Sequence, residues 1–69
     1  MDQGEVFARL VKLTGAESLQ LAFKPLLVSD GRLKGDRIAL RYGIPIDAMN
    51  YNLAHELAHH FLHYDKEYD

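Results

Sequence analysis

Apolar side chains recur at helical spacing near the start of the chain. Between residues 4 and 14 they fall on one side of a helix, while Glu5, Arg9 and Lys12 take the other side. Gly15 follows directly, and glycine often ends a helix. The pattern therefore predicts a first helix over residues 4–14 that ends at Gly15. Its apolar side consists of Val6, Phe7, Leu10, Val11 and Leu13.

Two later segments alternate between apolar and polar residues, which is typical of β-strands. The first covers residues 19–23 and ends or bends at Pro25. The second covers residues 37–42, and its alternation predicts one face on the core and one partly in water. Between them, residues 29–31 read as a turn. Residues 32–35 are of uncertain type, and a middle strand is one interpretation. The core face of the second segment would consist of Ile38, Leu40 and Tyr42.

The end of the chain has the pattern of a long helix. No glycine or proline interrupts residues 46–69, and Pro45 suits a first helical turn. We predict a helix from about residue 46 to about residue 64. The chain then forms one α+β domain over residues 1–69, with an N-terminal helix, a small two- to three-stranded antiparallel sheet and this C-terminal helix. We expect one sheet face to pack on both helices. We also expect the strand over residues 37–42 to present an edge near the last helix, where an extended peptide could add.

Length and composition limit how such a fold is stabilised. A chain of 69 residues buries only about 60% of its unfolded surface. It contains no cysteine, so a metal or a partner would have to add stability. No apolar run approaches the roughly 18 residues of a membrane span, and no signal peptide is recognisable. We therefore expect a cytoplasmic protein with no membrane contact.

The charges are uneven along the chain. The formal net charge of −2 supplies no overall basic field for nucleic acid. Seven of the eight basic residues nevertheless lie between Arg9 and Arg41, and Asp65, Glu67 and Asp69 follow at the end. A solvated surface is the simplest interpretation of both groups, so we expect no nucleic-acid partner. The residues that would argue otherwise are Arg32, Lys34, Arg37 and Arg41.

The chemistry in the sequence is concentrated in the last helix, at His55-Glu56-Leu57-Ala58-His59. Residues four apart lie one above the other on a helix, so two imidazoles at this spacing can bind one Zn²⁺. Glu56 lies about 100° further round, where its carboxylate can take a proton from a metal-bound water. This is the His-Glu-x-x-His motif of zinc proteases. The alternative is an amphipathic helix with solvated or hydrogen-bonded histidines and Glu56 as a surface charge.

The motif is flanked by an apolar stripe. His55 and His59 fall at its edge, which would leave a metal dry on one side and open on the other. Tyr51 lies one turn before His55, where it either lines a pocket or, as the simpler interpretation, joins the core. His60 points away from the pair and reads as a surface residue. The stripe consists of Tyr51, Ala54, Ala58 and Leu62, with Leu57 and Phe61 at its margin.

Two stretches together resemble a known family. Residues 35–43 read Gly-Asp-Arg-Ile-Ala-Leu-Arg-Tyr-Gly. Residues 46–63 read Ile-Asp-Ala-Met-Asn-Tyr-Asn-Leu-Ala-His-Glu-Leu-Ala-His-His-Phe-Leu-His. They are similar to the core of the ImmA/IrrE family of zinc metallopeptidases. The similarity extends over residues 4–65, strongest over residues 50–63. Ala58 stands where the family often has glycine.

The resemblance implies a minimal zincin-like domain with a defined set of roles. His55 and His59 would be zinc ligands, and Glu56 would be the general base or acid. Family members cleave regulatory proteins, often helix-turn-helix repressors of phages and mobile elements. They usually continue into further helices, one of which brings a third zinc ligand, commonly a glutamate. By this comparison we expect a chain that lacks that segment.

A catalytic zinc needs three protein ligands and a water, so the third ligand is an open question. His63 lies eight residues from His55, about 12 Å along a straight helix. The two cannot share a metal, although His59 and His63 could form an alternative pair. A supporting role for His63 is the simpler interpretation. The remaining candidates are a carboxylate from a second copy in a homodimer, or Asp65, Glu67 and Asp69 of the same chain.

Three functions remain open from the sequence. The first is a zinc-dependent metallopeptidase that hydrolyses peptide bonds of a regulatory protein, with Glu56 activating a zinc-bound water. The second is a catalytically incomplete zincin-like module that binds protein, such as a regulator or inhibitor of a phage or mobile element. The third is a piece of a longer enzyme. The first of these is our leading expectation.

Overall fold

The predicted α+β class is confirmed. The structure, a computed structural model, describes the chain from Met1 to His63, with side chains described as far as Leu62. Along the chain, a first helix is followed by three strands and then by a second helix. The elements are α1 (Gln3–Ala16), β1 (Gln20–Lys24), β2 (Gly31–Lys34), β3 (Arg37–Arg41) and α2 (Ile46–His63). The segment over residues 32–35, left open by its sequence, is therefore largely a strand.

The sheet is mixed, so the prediction of a purely antiparallel sheet was wrong. The strand order is β1-β3-β2, in which β2 pairs antiparallel with β3 and β1 pairs parallel with it. The chain reverses over residues 25–30 and again at the turn between Lys34 and Arg37, so β3 regains the direction of β1. Gly35, with φ of 60°, takes the left-handed conformation that a tight hairpin turn of this length requires. Alternation predicts that a strand exists but not which way its neighbour runs.

The strand order also overturns the predicted sheet edge. Arg37–Arg41 is the central strand and is hydrogen-bonded on both sides. An added peptide therefore has no edge to pair with there. In the described part of the chain the edge strands are β1 and β2. β2 is the edge that packs against α2.

One face of the sheet packs on both helices, as expected. Leu33, Ile38 and Leu40 on that face are almost fully buried and meet Leu53 and Leu57 of α2. Each fully buried leucine contributes about 1.5–3 kcal/mol. Phe7 and Leu10 of α1 pack against the same cluster. Tyr42, predicted for this face, follows the strand end and is exposed.

The first helix ends later than predicted. Gly15 lies inside α1, and the left-handed residue is Ser18, with φ of 57°. The amide of Ser18 donates to the carbonyl of Gly15 at 3.0 Å, and that of Leu19 donates to Thr14 at 2.9 Å. These two bonds satisfy the last helical carbonyls in a Schellman arrangement. This turn places the side chain of Leu19 in the core.

Candidate metal centre

The helix α2 has a buried and an exposed side, and the structure reverses their predicted positions. Leu53 and Leu57 are 0% and 3% exposed and face the sheet. The predicted apolar stripe lies largely on the opposite side, where Tyr51 and Leu62 are 72% and 73% exposed. Ala54, Ala58 and Phe61 are exposed as well. The prediction that this stripe faces the core was wrong. Apolar residues occur all round the helix, and the position of the sheet decides which of them are buried.

His55 and His59 converge as the motif predicts. Their Nε2 atoms lie 3.0 Å apart, and the rings meet edge to face with centroids 4.5 Å apart. Two nitrogens bound to one tetrahedral Zn²⁺ at about 2.0–2.1 Å lie roughly 3.3 Å apart. The pair therefore fits two positions of a zinc site after a shift of a few tenths of an ångström. His55 is exposed and His59 half-buried, so the pair opens to solvent on the outer side of α2.

Glu56 is one of the most buried side chains of the chain, at 1% exposed. Its interpretation as a surface charge is therefore excluded. It lies about 100° round α2 from His55 and about 60° from His59, between the histidine pair and the sheet-facing side. A buried carboxylate is costly unless hydrogen bonds or charges compensate. This placement is unusual for a residue with a purely solubilising role.

Gly31 covers Glu56 from the start of β2, a contact that the sequence did not predict. An added Cβ at Gly31 would lie 3.1 Å from Oε2 of Glu56 and 3.3 Å from Cβ of Asn52. Such contacts are tighter than carbon atoms normally adopt, so the close approach of β2 to α2 depends on glycine. The sequence reads Ser29-Asp30-Gly31 as a turn signal. The only feature of the sequence that indicates a close backbone approach is the position of Gly31 at the start of a strand.

Tyr51 lies beside His55 and not in the core, so the simpler of its two predicted roles was wrong. Its ring stacks on His55 with centroids 6.2 Å apart and planes 13° apart. This contact limits the rotation of an otherwise exposed imidazole. Tyr51 is therefore a wall of the candidate site on its solvent side.

His60 is not the surface residue that the sequence predicts. It is half-buried, and its Nε2 lies 3.1 Å from Oε1 of Glu17, just beyond the end of α1. At the other end of α2, the Asn50 amide donates to the carbonyl and side-chain oxygens of Gln3. The two contacts fix α2 along α1. His60 thus points away from His55 and His59, as predicted, but it joins the two helices.

A third metal ligand does not emerge from the described residues. Among them, no group of three histidine, cysteine or acidic side chains is placed to hold one ion. Asp65, Glu67 and Asp69, named above as candidates, lie outside the described residues, as does the side chain of His63. The described part of the site therefore consists of two imidazoles and one adjacent buried carboxylate.

Comparisons of the sequence and of the structure with known proteins identified no relative. No protein-family model, curated protein sequence or solved structure matches this chain. The resemblance to the ImmA/IrrE family therefore rests on the motif and its flanking residues. Among the described residues, no helix has the length and apolar character needed to cross a membrane.

Proposed function

We propose that this chain is a zincin-like metallopeptidase domain in which His55 and His59 bind Zn²⁺ and Glu56 transfers protons. The observation that carries the proposal is the 3.0 Å separation of the two Nε2 atoms beside a carboxylate that is 1% exposed. A surface His pair alone would support only adventitious metal binding. The buried carboxylate adds the group that peptide hydrolysis requires.

The reaction class follows from these groups. Zinc held by the pair would supply a Lewis acid that polarises the scissile carbonyl and acidifies water. Glu56 accepts the proton of the attacking water and delivers it to the leaving nitrogen as the carbon–nitrogen bond breaks. The close approach of Gly31 holds this carboxylate in one place. That fixed position favours proton transfer along one path.

The edge strand β2 suits a peptide substrate. It packs on α2, and its first residue, Gly31, faces Glu56. A peptide added to the outer edge of β2 would be positioned by main-chain hydrogen bonds alongside the helix that carries the histidines. This assigns to β2 the role that the sequence assigned to β3. We propose that the substrate is a regulatory protein with an extended segment. We also propose that the reaction takes place in the cytoplasm.

The proposal requires a third ligand from outside the described side chains. Asp65, Glu67 and Asp69 are candidates in the same chain, and a carboxylate of a second copy in a homodimer is another. A catalytic zinc with only two protein ligands would bind weakly. The affinity for zinc therefore tests whether the site is complete.

Zinc titration of the purified chain, with His55→Ala and Glu56→Gln beside it, tests the proposal. We expect one zinc per chain, lost in His55→Ala and retained in Glu56→Gln. On a peptide library, Glu56→Gln should lower turnover by about 10²–10⁴-fold. Wild-type turnover that survives Glu56→Gln, or no zinc binding at all, would overturn the proposal.

A second candidate is a protein-binding module that performs no hydrolysis. It is favoured by the lack of a three-ligand group among the described residues. In that case zinc would bind only weakly, as two ligands permit, or not at all. Partner affinity would be the same for wild type and Glu56→Gln. Turnover by the wild-type chain excludes this candidate.

A further inference from the structure

The sheet has a second face that neither helix covers. Side chains alternate across a sheet, and the residues next to Leu33, Ile38 and Leu40 point away from the helices. Arg32, Lys34 and Arg37 are exposed, whereas Ala39 between them is half-buried. We call this surface the open sheet face. It is separate from the histidine pair, which lies on α2 beyond the opposite face.

A groove of about 550 Å³ runs over the open sheet face. Ala22 and Ala39 are cross-strand partners on β1 and β3, and both line the groove together with Leu26. Small residues in the middle of a sheet leave a depression between longer neighbours. The floor is therefore apolar and shallow enough for short side chains of a partner.

The walls of the groove are basic. Its lining in the described part of the chain includes four cations and no acidic side chain. Arg41, further along β3, is held by Asp30 at 3.2 Å and by the carbonyl of Ser29. The chain as a whole has a net charge of −2, so this positive field is local to the groove. The four cations are Lys24, Arg32, Lys34 and Arg37.

Two of these cations oppose each other directly. Lys34 and Arg37 are cross-strand partners at the β2–β3 hairpin. Like charges in directly opposite positions destabilise a sheet. An anionic group bound between them would relieve this repulsion. The charge arrangement therefore points to an acidic ligand and not only to solvation.

We propose that the open sheet face is a docking site for an acidic protein segment that presents carboxylates and small apolar residues on the same side of its extended chain. Carboxylates would pair with Lys34 and Arg37, and the apolar residues would cover Ala22 and Ala39. Single-stranded nucleic acid suits the face less well, because its binding sites add aromatic side chains for base stacking. Among the described residues that line the groove, none is aromatic. The proposal does not depend on metal chemistry at His55 and His59.

Fluorescence polarisation with a labelled peptide of about twelve residues tests the proposal. The peptide repeats Glu-Glu-Ala-Ala, so that both residue types occur on each side of the extended chain. EDTA is included, so that the result is independent of zinc. The wild-type chain should bind at low ionic strength and lose affinity as NaCl rises. The matching peptide of Gln and Ala should not bind. An oligothymidylate of similar length should bind more weakly than the acidic peptide.

The decisive variant is Lys34→Glu with Arg37→Glu. It keeps a like-charge pair at the hairpin, so it reverses the sign of the field with little change in cross-strand repulsion. We expect about tenfold weaker peptide binding, because two exposed ion pairs are lost and like-charge repulsion is added. The matched control is Arg9→Glu with Lys12→Glu, which makes the same charge change on exposed positions of α1. Its effect should be less than about threefold.

Three results would overturn the proposal. They are no binding of the acidic peptide, equal weakening by both double variants, and tighter binding of the oligothymidylate. If the double variant does not fold, as judged by circular dichroism, Lys34→Gln with Arg37→Gln replaces it. That variant removes the charges without reversing them, and it should weaken binding about threefold.

Discussion

The two sides of α2 are alike in sequence and unlike in structure. The inner side presents Leu53, Leu57 and Glu56, all at most 3% exposed. The outer side presents Tyr51 and Leu62, each more than 70% exposed. Both sides are rich in apolar residues, so hydrophobicity alone does not separate them. The contrast shows that the core is defined by what the sheet covers.

The motif lies across the boundary between these two sides. Glu56 belongs to the inner side and is held by packing against β2. His55 belongs to the outer side, where Tyr51 and His59 flank its ring. The proposed proton-transfer group is thus fixed by the fold, while the proposed metal ligand His55 remains adjustable. The predictions below test this division, beginning with the largest effect.

Removal of an inner leucine should cost the most stability. We expect Leu53→Ala to lower the free energy of unfolding by about 2–5 kcal/mol, because it leaves a cavity against the sheet. Leu62→Ala, on the outer side, should change it by less than about 0.5 kcal/mol. Urea denaturation followed by circular dichroism measures both. Equal losses for the two variants would mean that the outer side is covered in solution.

Zinc should stabilise the chain through the outer side alone. At a free zinc concentration one hundred times Kd, binding adds about 2.7 kcal/mol to the free energy of unfolding. His55→Ala should abolish this increment. His60→Ala should keep it, because His60 contacts Glu17 on the inner side. Thermal melting with and without zinc gives the increment for each variant. An increment lost equally in both would argue against the His55–His59 pair.

Filling the close contact between β2 and α2 should have a smaller effect. We expect Gly31→Ala to cost about 1 kcal/mol, because the new Cβ meets Glu56 and Asn52. Gly15→Ala is the matched control, since nothing lies near an added Cβ in α1. It should stabilise the helix by about 0.5–1 kcal/mol. Chemical denaturation compares the two, and a neutral Gly31→Ala would show that β2 is not held against α2.

The smallest effect is expected at the stacked tyrosine. Tyr51→Ala should change the free energy of unfolding by less than about 0.5 kcal/mol. It should weaken zinc binding about two- to threefold, because His55 loses the ring that limits its rotation. Tyr42 is similarly exposed and lies outside the described site, so Tyr42→Ala should leave zinc affinity unchanged. Competition with a chromophoric zinc chelator measures both affinities.

Local patterns predicted the elements but not how they meet. Alternation located β1 and β3 within a residue or two, and the uninterrupted run after Pro45 located α2. The parallel pairing of β1 with β3 depends on where the chain reverses between them. The alternation of apolar and polar residues contains no information about these reversals. The left-handed residue at Ser18, instead of Gly15, similarly depends on Leu19 entering the core.

The candidate site divides in the same way. A four-residue spacing brings His55 and His59 together on any straight helix, so the sequence was sufficient for that pair. The burial of Glu56 under Gly31 required a strand from elsewhere in the chain. The exposure of Tyr51 and the contact of His60 with Glu17 required the orientation of α2 against the sheet and α1. A helical wheel with apolar residues on every side contains no information about that orientation.

The sequence by itself determined the helices, the alternating strands and the histidine spacing, because these depend on residues no more than a few positions apart. Tertiary structure decided the strand directions, the buried side of α2 and the cover over Glu56. It also left one sheet face open and brought Lys34 opposite Arg37 on it. These features arise from contacts between distant segments. The free energies of these contacts depend on which two surfaces are buried against each other. No single segment of the sequence specifies both surfaces.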